Sequence, residues 1–480
     1  MSPWTKGVAI GKSLGLVVIV ILMLLVMVVG GDMVTELISL GAENQIQHQN
    51  VELASDMTIT SAFPEETTIE KRTLLTSDCE ITFTKDAVRS RLDVEDEDNL
   101  TTKTYWNFHK GPSFPKHRWE KNNEEIEGEH EDSVPIRNWN DLDDIRNDLN
   151  KNYVLKNNLD SDTPGYEEVA GRDANGGQGW EPIGEQKNHN YFMGEFDGQG
   201  HTISGLYIDR ANEDNVGLFG YVSEGEIRNI GVEDVKIKGG NTVGGLVGNA
   251  YFSDIKKSHT TGSVQGSSSV GGLVGSSSQK TSDISKSYSK AYVKGEEKVG
   301  GLAGSFSHGD ISESFSAGMV KAEGDRVGGL VGVTHLDGGI SNSYSTSNIH
   351  IEADLRTLKI GGLVGHQASS SNPINNSYSA GTVNPSEGSA EFGGLIGSSE
   401  ATVESSFWNM ATAGISLDQD SGAGEPLFMA EMTSKETFSE SRGWDFEDTW
   451  YMPERTIKCG SVIEIKDGEL NKVVEDYAEF

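Results

Sequence analysis

One short glycine block returns along this chain at nearly constant intervals, and it restricts the possible folds more than any other feature. It begins as Val216-Gly-Leu-Phe-Gly220 and recurs as Val243-Gly-Gly-Leu-Val-Gly248, Val270-Gly-Gly-Leu-Val-Gly275, Val299-Gly-Gly-Leu-Ala-Gly304, Val327-Gly-Gly-Leu-Val-Gly332, Ile360-Gly-Gly-Leu-Val-Gly365 and Phe392-Gly-Gly-Leu-Ile-Gly397. The start-to-start spacings are 27, 27, 29, 28, 33 and 32 residues. Self-similarity at such a period marks a repeat architecture, in which each unit buries its apolar face on its neighbours.

A second element follows the glycine block: Asp283-Ile-Ser-Lys-Ser-Tyr288, Asp310-Ile-Ser-Glu-Ser-Phe315, Gly339-Ile-Ser-Asn-Ser-Tyr344 and Pro373-Ile-Asn-Asn-Ser-Tyr378. A third adds an apolar position at Val264, Val293, Val320, Ile349 and Val383. Each period thus supplies three short strand candidates, none suited to a helix with this much glycine. The pattern predicts an all-β fold, a parallel β-solenoid (β-helix) with coils of 27 to 33 residues. Seven coils stacked at strand spacing would extend roughly 34 Å. The glycines are expected to allow positive φ at corners and close approach of neighbouring backbones. Leu and Val of each block should point inward as aliphatic ladders, and the longer periods after Val327 and Ile360 should hold loops.

Composition agrees with a thin, repeated core. The 480 residues include 58 glycines, and only 35% are hydrophobic, below the usual 45–50% or so. A chain of this length suggests two or three structural units. The net charge of −35 lies mostly outside the repeats: residues 243–397 hold 13 acidic and 11 basic side chains, a net of −2, which leaves −33 for the rest. This field argues against nucleic acid as a partner in the absence of a basic patch, and none is evident in the sequence. High acidity also suits a high-salt organism, although the near-neutral, lysine-containing repeats count against that reading.

Residues 14–29 are apolar throughout except for Gly15, with Lys6 and Lys12 before the run and Asp32, Glu36 and Glu43 after it. The run predicts an N-terminal transmembrane helix with the bulk of the chain outside the cell. A cleaved signal peptide is the rival, with Val28 and Gly30 at the small-residue positions. The organisation expected is an anchor over residues 1–32, a stalk and small β-unit over 33–123, an acidic linker over 124–137, an N-terminal cap and first coils over 138–215, the repeat solenoid over 216–425 and a C-terminal cap over 426–480. Strand-like stretches lie at 57–63 and 79–84, with Pro64 as a turn. An anchor leading into a small β-unit resembles pilin-type surface proteins, though no processing motif accompanies it.

Leu142, Ile145 and Leu149 share one face of a short helix over 140–150, the expected cap on the solenoid's open end. At the other end Thr433 and Glu436 suggest a capping box for a helix reaching Ser441, with Gly443 as its stop. Trp444 and Phe446 should then fold back on the last coil, and residues 456–465 should form one or two final strands. Cys79 and Cys459, 380 positions apart, are either two free thiols or one disulfide.

The glycine blocks resemble the GLUG-motif repeat family of bacterial and archaeal surface proteins, some members of which accompany secreted peptidases. Trp180-Glu-Pro-Ile-Gly184, residues 192–203, Leu206-Tyr-Ile208, Phe407-Trp408 and Gly443-Trp-Asp-Phe446 fit the same resemblance, which covers residues 138–450. It implies a scaffold that serves varied partners rather than one chemistry.

Catalysis is nonetheless the rival reading, because β-helices also carry polysaccharide lyases and hydrolases. Glu195 and Asp197, with His201 nearby, are the candidate acid–base pair. Their setting, Gly-Glu-Phe-Asp-Gly-Gln-Gly, is also what a tight turn requires. No two histidines have the His-Glu-x-x-His spacing of a metallopeptidase, and no glycine block opens onto Lys-Ser or Lys-Thr as a phosphate loop would. Asp418-Gln-Asp420-Ser-Gly422-Ala-Gly424-Glu425 alternates oxygen ligands as calcium sites do, without a full set, so a solvated acidic turn is the alternative. The series His259, Tyr288, Phe315, Tyr344, Tyr378 and Phe407 should stack as a ladder, either outward as a sugar-binding strip or inward as core, with Ser258, Ser287, Ser314, Ser343, Ser377 and Ser406 on the opposite face. Asn99-Leu-Thr101 and Asn375-Asn-Ser377 are possible glycosylation sequons. The expectation is a membrane-anchored, extracellular, non-enzymatic module without catalytic, cofactor or metal residues, partnered by cell-surface glycans or envelope proteins. Its alternative is a secreted carbohydrate-active enzyme.

Overall fold

The computed structural model describes residues 71–76, 79–84, 114–121, 132–278, 282–352, 358–369, 373–384, 391–399, 402–415, 420, 422–453, 462–466 and 469–474. Residues 14–29, the stalk, the strand candidate at 57–63, most of the acidic linker, Asp418 and Cys459 lie outside them. Among the described residues no helix is long and apolar enough to cross a membrane. The chain divides into two units, Met1–Ser113 with Pro453–Phe480, and Phe114–Met452.

In the first unit Lys71–Thr76 pairs antiparallel with Cys79–Thr84. Val462–Lys466 pairs antiparallel with Glu469–Val474; of the final strands expected over 456–465, only residues 462–465 fall among those described.

The second unit is a parallel β-solenoid whose coils build up four stacked sheets. Register is exact from coil to coil where the repeat is exact. Val270, Val299, Val327, Ile360 and Phe392 align in one sheet. Val247, Val274, Ala303, Val331, Val364 and Ile396 align in the next. Ile255, Ile284, Ile311, Ile340, Ile374 and Val403 form a third row, and Ile237, Val264, Val293, Val320, Ile349 and Val383 a fourth. These rows, with the block leucines Leu246, Leu273, Leu302, Leu330, Leu363 and Leu395, make one continuous core. Each coil contributes a few aliphatic side chains, so the core is long and thin, as the low apolar fraction requires.

The paired glycines serve close approach, and none of them has positive φ. A Cβ on Gly272 would lie 2.0 Å from Ser289 Oγ, and one on Gly362 would lie 2.2 Å from both Ser379 Oγ and the Gly394 carbonyl oxygen. The second glycine of the four central blocks therefore faces a serine across the coil interior, while Gly245 faces Thr260 and Gly394 faces Trp408. Left-handed corners fall elsewhere, on non-glycine residues: Lys257, Lys286, Glu313, Asn342, Asn376 and Ser405 hold φ between 44° and 48°. The expectation of positive φ at the glycine blocks is corrected accordingly.

The N-terminal end is closed as expected. Asn138 Oδ1 accepts the Asp141 amide at 2.9 Å and starts the helix Trp139–Asp143, which continues as the 3-10 turn Asp144–Asn147. Trp139, Leu142 and Ile145 are fully buried in the core, with Leu149 packed against it. The C-terminal helix differs from expectation: it spans Met429–Met432. Thr433 ends it, donating from Oγ1 to the Met429 carbonyl at 3.0 Å. The later turn Glu440–Arg442 is 3-10 and stops at Gly443 with φ 83°. Phe428 precedes the helix, and its amide is satisfied by Glu431 Oε2 at 2.8 Å, the role expected of Glu436.

Candidate functional site

The left-handed corner decides where the aromatic series points. Because Lys286, Glu313 and Asn342 turn the chain, the serine that follows enters the coil and the aromatic residue after it leaves. Ser287 Oγ donates to the Ser285 carbonyl at 2.8 Å and accepts the Ser258 amide at 3.1 Å. Ser314, Ser343, Ser377 and Ser406 repeat the pattern along the axis. Outside, His259, Tyr288, Phe315, Tyr344 and Tyr378 stack face to face at 4.6, 4.8, 4.8 and 4.9 Å, tilted by no more than 4°. A sugar stacks on an aromatic face. Here the faces are spent on each other and only ring edges point away from the solenoid.

Those edges are roofed by the two ends of the unit. Lys116–His117 pairs antiparallel with Trp450–Tyr451, and this strap lies over the ladder. His117 is fully buried, 4.5 Å from Trp450 and 5.2 Å from Tyr344. Its Nε2 hydrogen-bonds to the Asn342 carbonyl at 2.7 Å. Trp119 Nε1 donates to the Glu313 carbonyl and Trp444 Nε1 to the Ser405 carbonyl, both at 3.0 Å. Tyr378 donates to the Pro115 carbonyl at 2.6 Å and Tyr344 to Glu120 at 3.0 Å. His117, Trp119 and Trp444 thus use the corner carbonyls of three coils, those of Asn342, Glu313 and Ser405. Burial, together with neighbouring phenol and carboxylate groups, holds the Tyr344 hydroxyl well above its usual range. Trp444 and Phe446 fold back as expected, but along the side of the solenoid.

Glu195 and Asp197 do come together, and Arg228 lies between them. Its NH2 group is 2.5 Å from Glu195 and 3.0 Å from Asp197, with the guanidinium only 8% exposed. Asp197 also accepts the Gln199 amide at 2.9 Å and the Asn229 side chain at 2.9 Å. His201 turns to Asn158 instead, with Nδ1 3.1 Å from Oδ1. The pair is therefore a buried ionic network in a turn. Beside it a cleft of about 430 Å³ is lined by Glu195, Glu224, Glu226, Asp254 and Asp283, with Met193 and Phe252 on its walls. Lys256 Nζ lies 2.7 Å from Glu226 and 3.0 Å from Asp254. The carboxylates also bind backbone: Asp254 accepts the Asp283 amide at 3.1 Å and Asp283 the Asp310 amide at 2.8 Å. Burial pushes the Asp283 carboxyl up, with the neighbouring carboxylates adding to it.

Asp420 Oδ1 accepts the Gly394 amide at 3.0 Å, closing the last coil. Among the described residues no group of three or more His, Cys, Asp and Glu side chains is placed to share a metal ion. The Asn375 sequon lies in a coil corner, where Ser377 is fully buried and donates to the Asn375 carbonyl at 2.8 Å. That hydroxyl is not available to a glycosylating enzyme in the folded chain.

One set of residues escaped the sequence reading. Lys298, Arg326 and Lys359 each precede a glycine block and so stack on adjacent coils, with His335 and His366 beside them. A local cationic column therefore exists where none was evident, because its members are about one coil apart in sequence. Aligning the periods and reading down the position before each Val would have found it.

No family model matches the chain. A protein of Evansella cellulosilytica provisionally named as a Gly-rich membrane protein is 36% identical over 129 residues, 26% of this chain and 14% of that protein. Halomucin of Haloquadratum walsbyi is 42% identical over 94 residues, 19% of this chain and 1% of that protein. The chain thus spans a small part of the length of these relatives. Among solved structures, a Bacteroides ovatus protein provisionally assigned as an immunoglobulin A1 protease has a TM-score of 0.42 at 20% identity, covering 58% of this chain and 85% of its own. A structure of an IgA1 protease has a TM-score of 0.43 at 20% identity, covering 60% and 22%.

Proposed function

We propose that this chain is a non-enzymatic, surface-displayed β-solenoid, held to the cell membrane through residues 14–29 and used for adhesion, envelope structure or display. The observation that carries the reading is the position of Arg228, which bridges and engages both members of the one carboxylate pair whose sequence setting suggested catalysis. The relative named as a membrane protein supports the location. Cell-surface glycans or envelope proteins are the partners this reading calls for. Two measurements test it. Protease added to intact cells should remove the solenoid, and protection until the cells are permeabilised would overturn surface display. Purified chain should leave a panel of polysaccharides and peptides uncut.

The second reading, a secreted carbohydrate-active enzyme, is favoured by the cleft that gathers Glu195, Glu226, Asp254 and Asp283. It requires that polysaccharide cleavage be detected and be abolished by Asp283→Asn. The ion pairs to Arg228 and Lys256 weigh against it.

A further inference from the structure

The residue before each block stacks coil on coil, giving Thr242, Ser269, Lys298, Arg326, Lys359 and Glu391 in order, with Lys359 in direct register with Glu391. Three cations on successive coils stand about 4.8 Å apart along the axis. The neighbouring sheet closes tightly on this column: a Cβ on Gly332 would lie 2.6 Å from Lys298 C, and one on Gly365 would lie 2.7 Å from Arg326 C. That sheet brings His366, whose Nε2 is 3.4 Å from Lys359 Nζ. His335 lies on the preceding coil, two residues beyond Val333, the residue in register with His366.

Like charges stacked at this spacing repel, so a column of them needs a compensating anion. Arg326 has one, with Glu297 at 3.2 Å and Asp325 at 3.1 Å. Lys298 and Lys359 make no ion pair with a carboxylate among the described residues. The contrast with the nearby lysine column is direct: Lys294 pairs with Glu323 at 3.0 Å and Lys321 with Glu352 at 2.8 Å. The positive field is felt locally. Burial first, and then the charges of Lys298 and Arg326, hold His335 below its usual value; burial and Lys359 do the same to His366.

We propose that the column Lys298, Arg326 and Lys359, with His335 and His366, binds an anionic glycan laid along the solenoid axis, its carboxylate or sulfate groups meeting successive coils. A sugar unit in a linear chain advances by about one coil, so a regular acidic polymer matches the cation spacing without bending. A nucleic acid fits less well. It brings a denser charge into the field of a chain at −35, and the column offers none of the open aromatic platforms on which single-stranded bases stack. This inference rests on the binding reading above and names its ligand class.

The test uses the full chain in detergent and four probes of equal length: an oligogalacturonate, a chondroitin sulfate oligosaccharide, a neutral oligosaccharide and a single-stranded oligodeoxynucleotide. Calorimetry at low salt should show binding of one or both acidic glycans and none of the neutral one, and which of the two binds tells carboxylate from sulfate. Lys298→Gln with Lys359→Gln should weaken binding on the order of tenfold and flatten its salt dependence by about two counterions. Lys294→Gln with Lys321→Gln should leave both unchanged. Absence of binding to either acidic glycan, equal binding of the neutral one, tighter binding of the oligodeoxynucleotide, or equal losses in the two variants would each overturn the proposal. The wild-type comparisons decide it even if a variant fails to fold. Surface display is read separately by proteolysis of intact cells, so a failure there does not masquerade as a failure here.

Discussion

The ring of His117 meets the carbonyl of Asn342 at 2.7 Å across 225 residues of sequence, and this bond ties the start of the solenoid unit to the middle of its side. Trp450, from the other end of the unit, lies against the same ring and reaches Asn342 Oδ1 with Nε1 at 3.3 Å. Entry and exit of the unit are thereby fastened together on the aromatic ladder. The strap closes over ring edges that would otherwise be wet, so its burial stabilises both partners.

Trp450→Ala should therefore cost about 3–5 kcal/mol, as large-to-small changes of a fully buried tryptophan do. Urea unfolding gives the value. Limited proteolysis should show earlier cutting within 114–121 while the β-rich circular dichroism spectrum persists at low urea. Loss of the whole spectrum in the absence of urea would mean that the strap is integral to the coils.

Gly362→Ala should be destabilising by about 1–3 kcal/mol or more through overpacking, because the added carbon has two obstacles at 2.2 Å, Ser379 Oγ and the Gly394 carbonyl. The double variant with Ser379→Gly should recover only part of the loss, since the carbonyl remains. A double-mutant cycle measures the coupling, and complete recovery would show that the backbone obstacle yields.

The solenoid was legible because its period is written in residue types: glycine where backbones touch, Ile and Val where each coil faces inward. The role of the paired glycines was only half legible. Close approach could be inferred, but positive φ fell to Lys286, Glu313 and Asn342, of which only Asn favours the left-handed region, so no single residue type marks the corner. That corner set the direction of the aromatic ladder, so its orientation could not be read from alternation. The strap was beyond reach for another reason. His117 and Asn342 belong to no common repeat, and nothing in either segment names the other. Glu195 and Asp197 were found as a pair, while Arg228, one coil away, was needed to give the pair its meaning.

At the corner itself, Lys286→Asn should raise stability by about 0.5–1 kcal/mol. A lysine at φ 47° carries the left-handed penalty of an ordinary L side chain, and Asn, whose short polar side chain suits that region, occupies the equivalent corners at 342 and 376. The contact to Glu313 that is lost, at 4.0 Å between partly buried side chains, is long enough to contribute little. Thermal melting of the two proteins compares them, and a lower midpoint for the variant would refute the corner argument.

His335 and His366 give the pH dependence a sign. Both are held below their usual value in the folded chain, by burial first and by cationic neighbours second. The unfolded chain therefore takes up protons first as pH falls, and stability contributed by the neutral rings is full above about pH 6.5 and declines below it. Urea midpoints at pH 7.5 and at pH 5.5 should differ in that direction, and the difference should shrink in His335→Gln with His366→Gln. An unchanged slope in the double variant would assign the effect to other groups.

Arg228→Met separates a structural pair of carboxylates from a catalytic one. The guanidinium is 8% exposed and holds Glu195 and Asp197 at 2.5 and 3.0 Å, so its removal leaves two poorly solvated negative charges facing each other. Breaking a buried pair in this way costs about 3–5 kcal/mol. Replacing Glu195 and Asp197 by Gln and Asn in the same chain should restore much of that loss, because the repulsion goes with the charge, although the bond from Asn229 Nδ2 to Asp197 Oδ1 would need to re-form on the amide oxygen. Chemical unfolding of the single, double and triple variants reads the cycle. A catalytic pair predicts the opposite: neutralising carboxylates that a reaction requires would leave stability unharmed or raised even with Arg228 present, and would remove an activity that the wild-type chain displays.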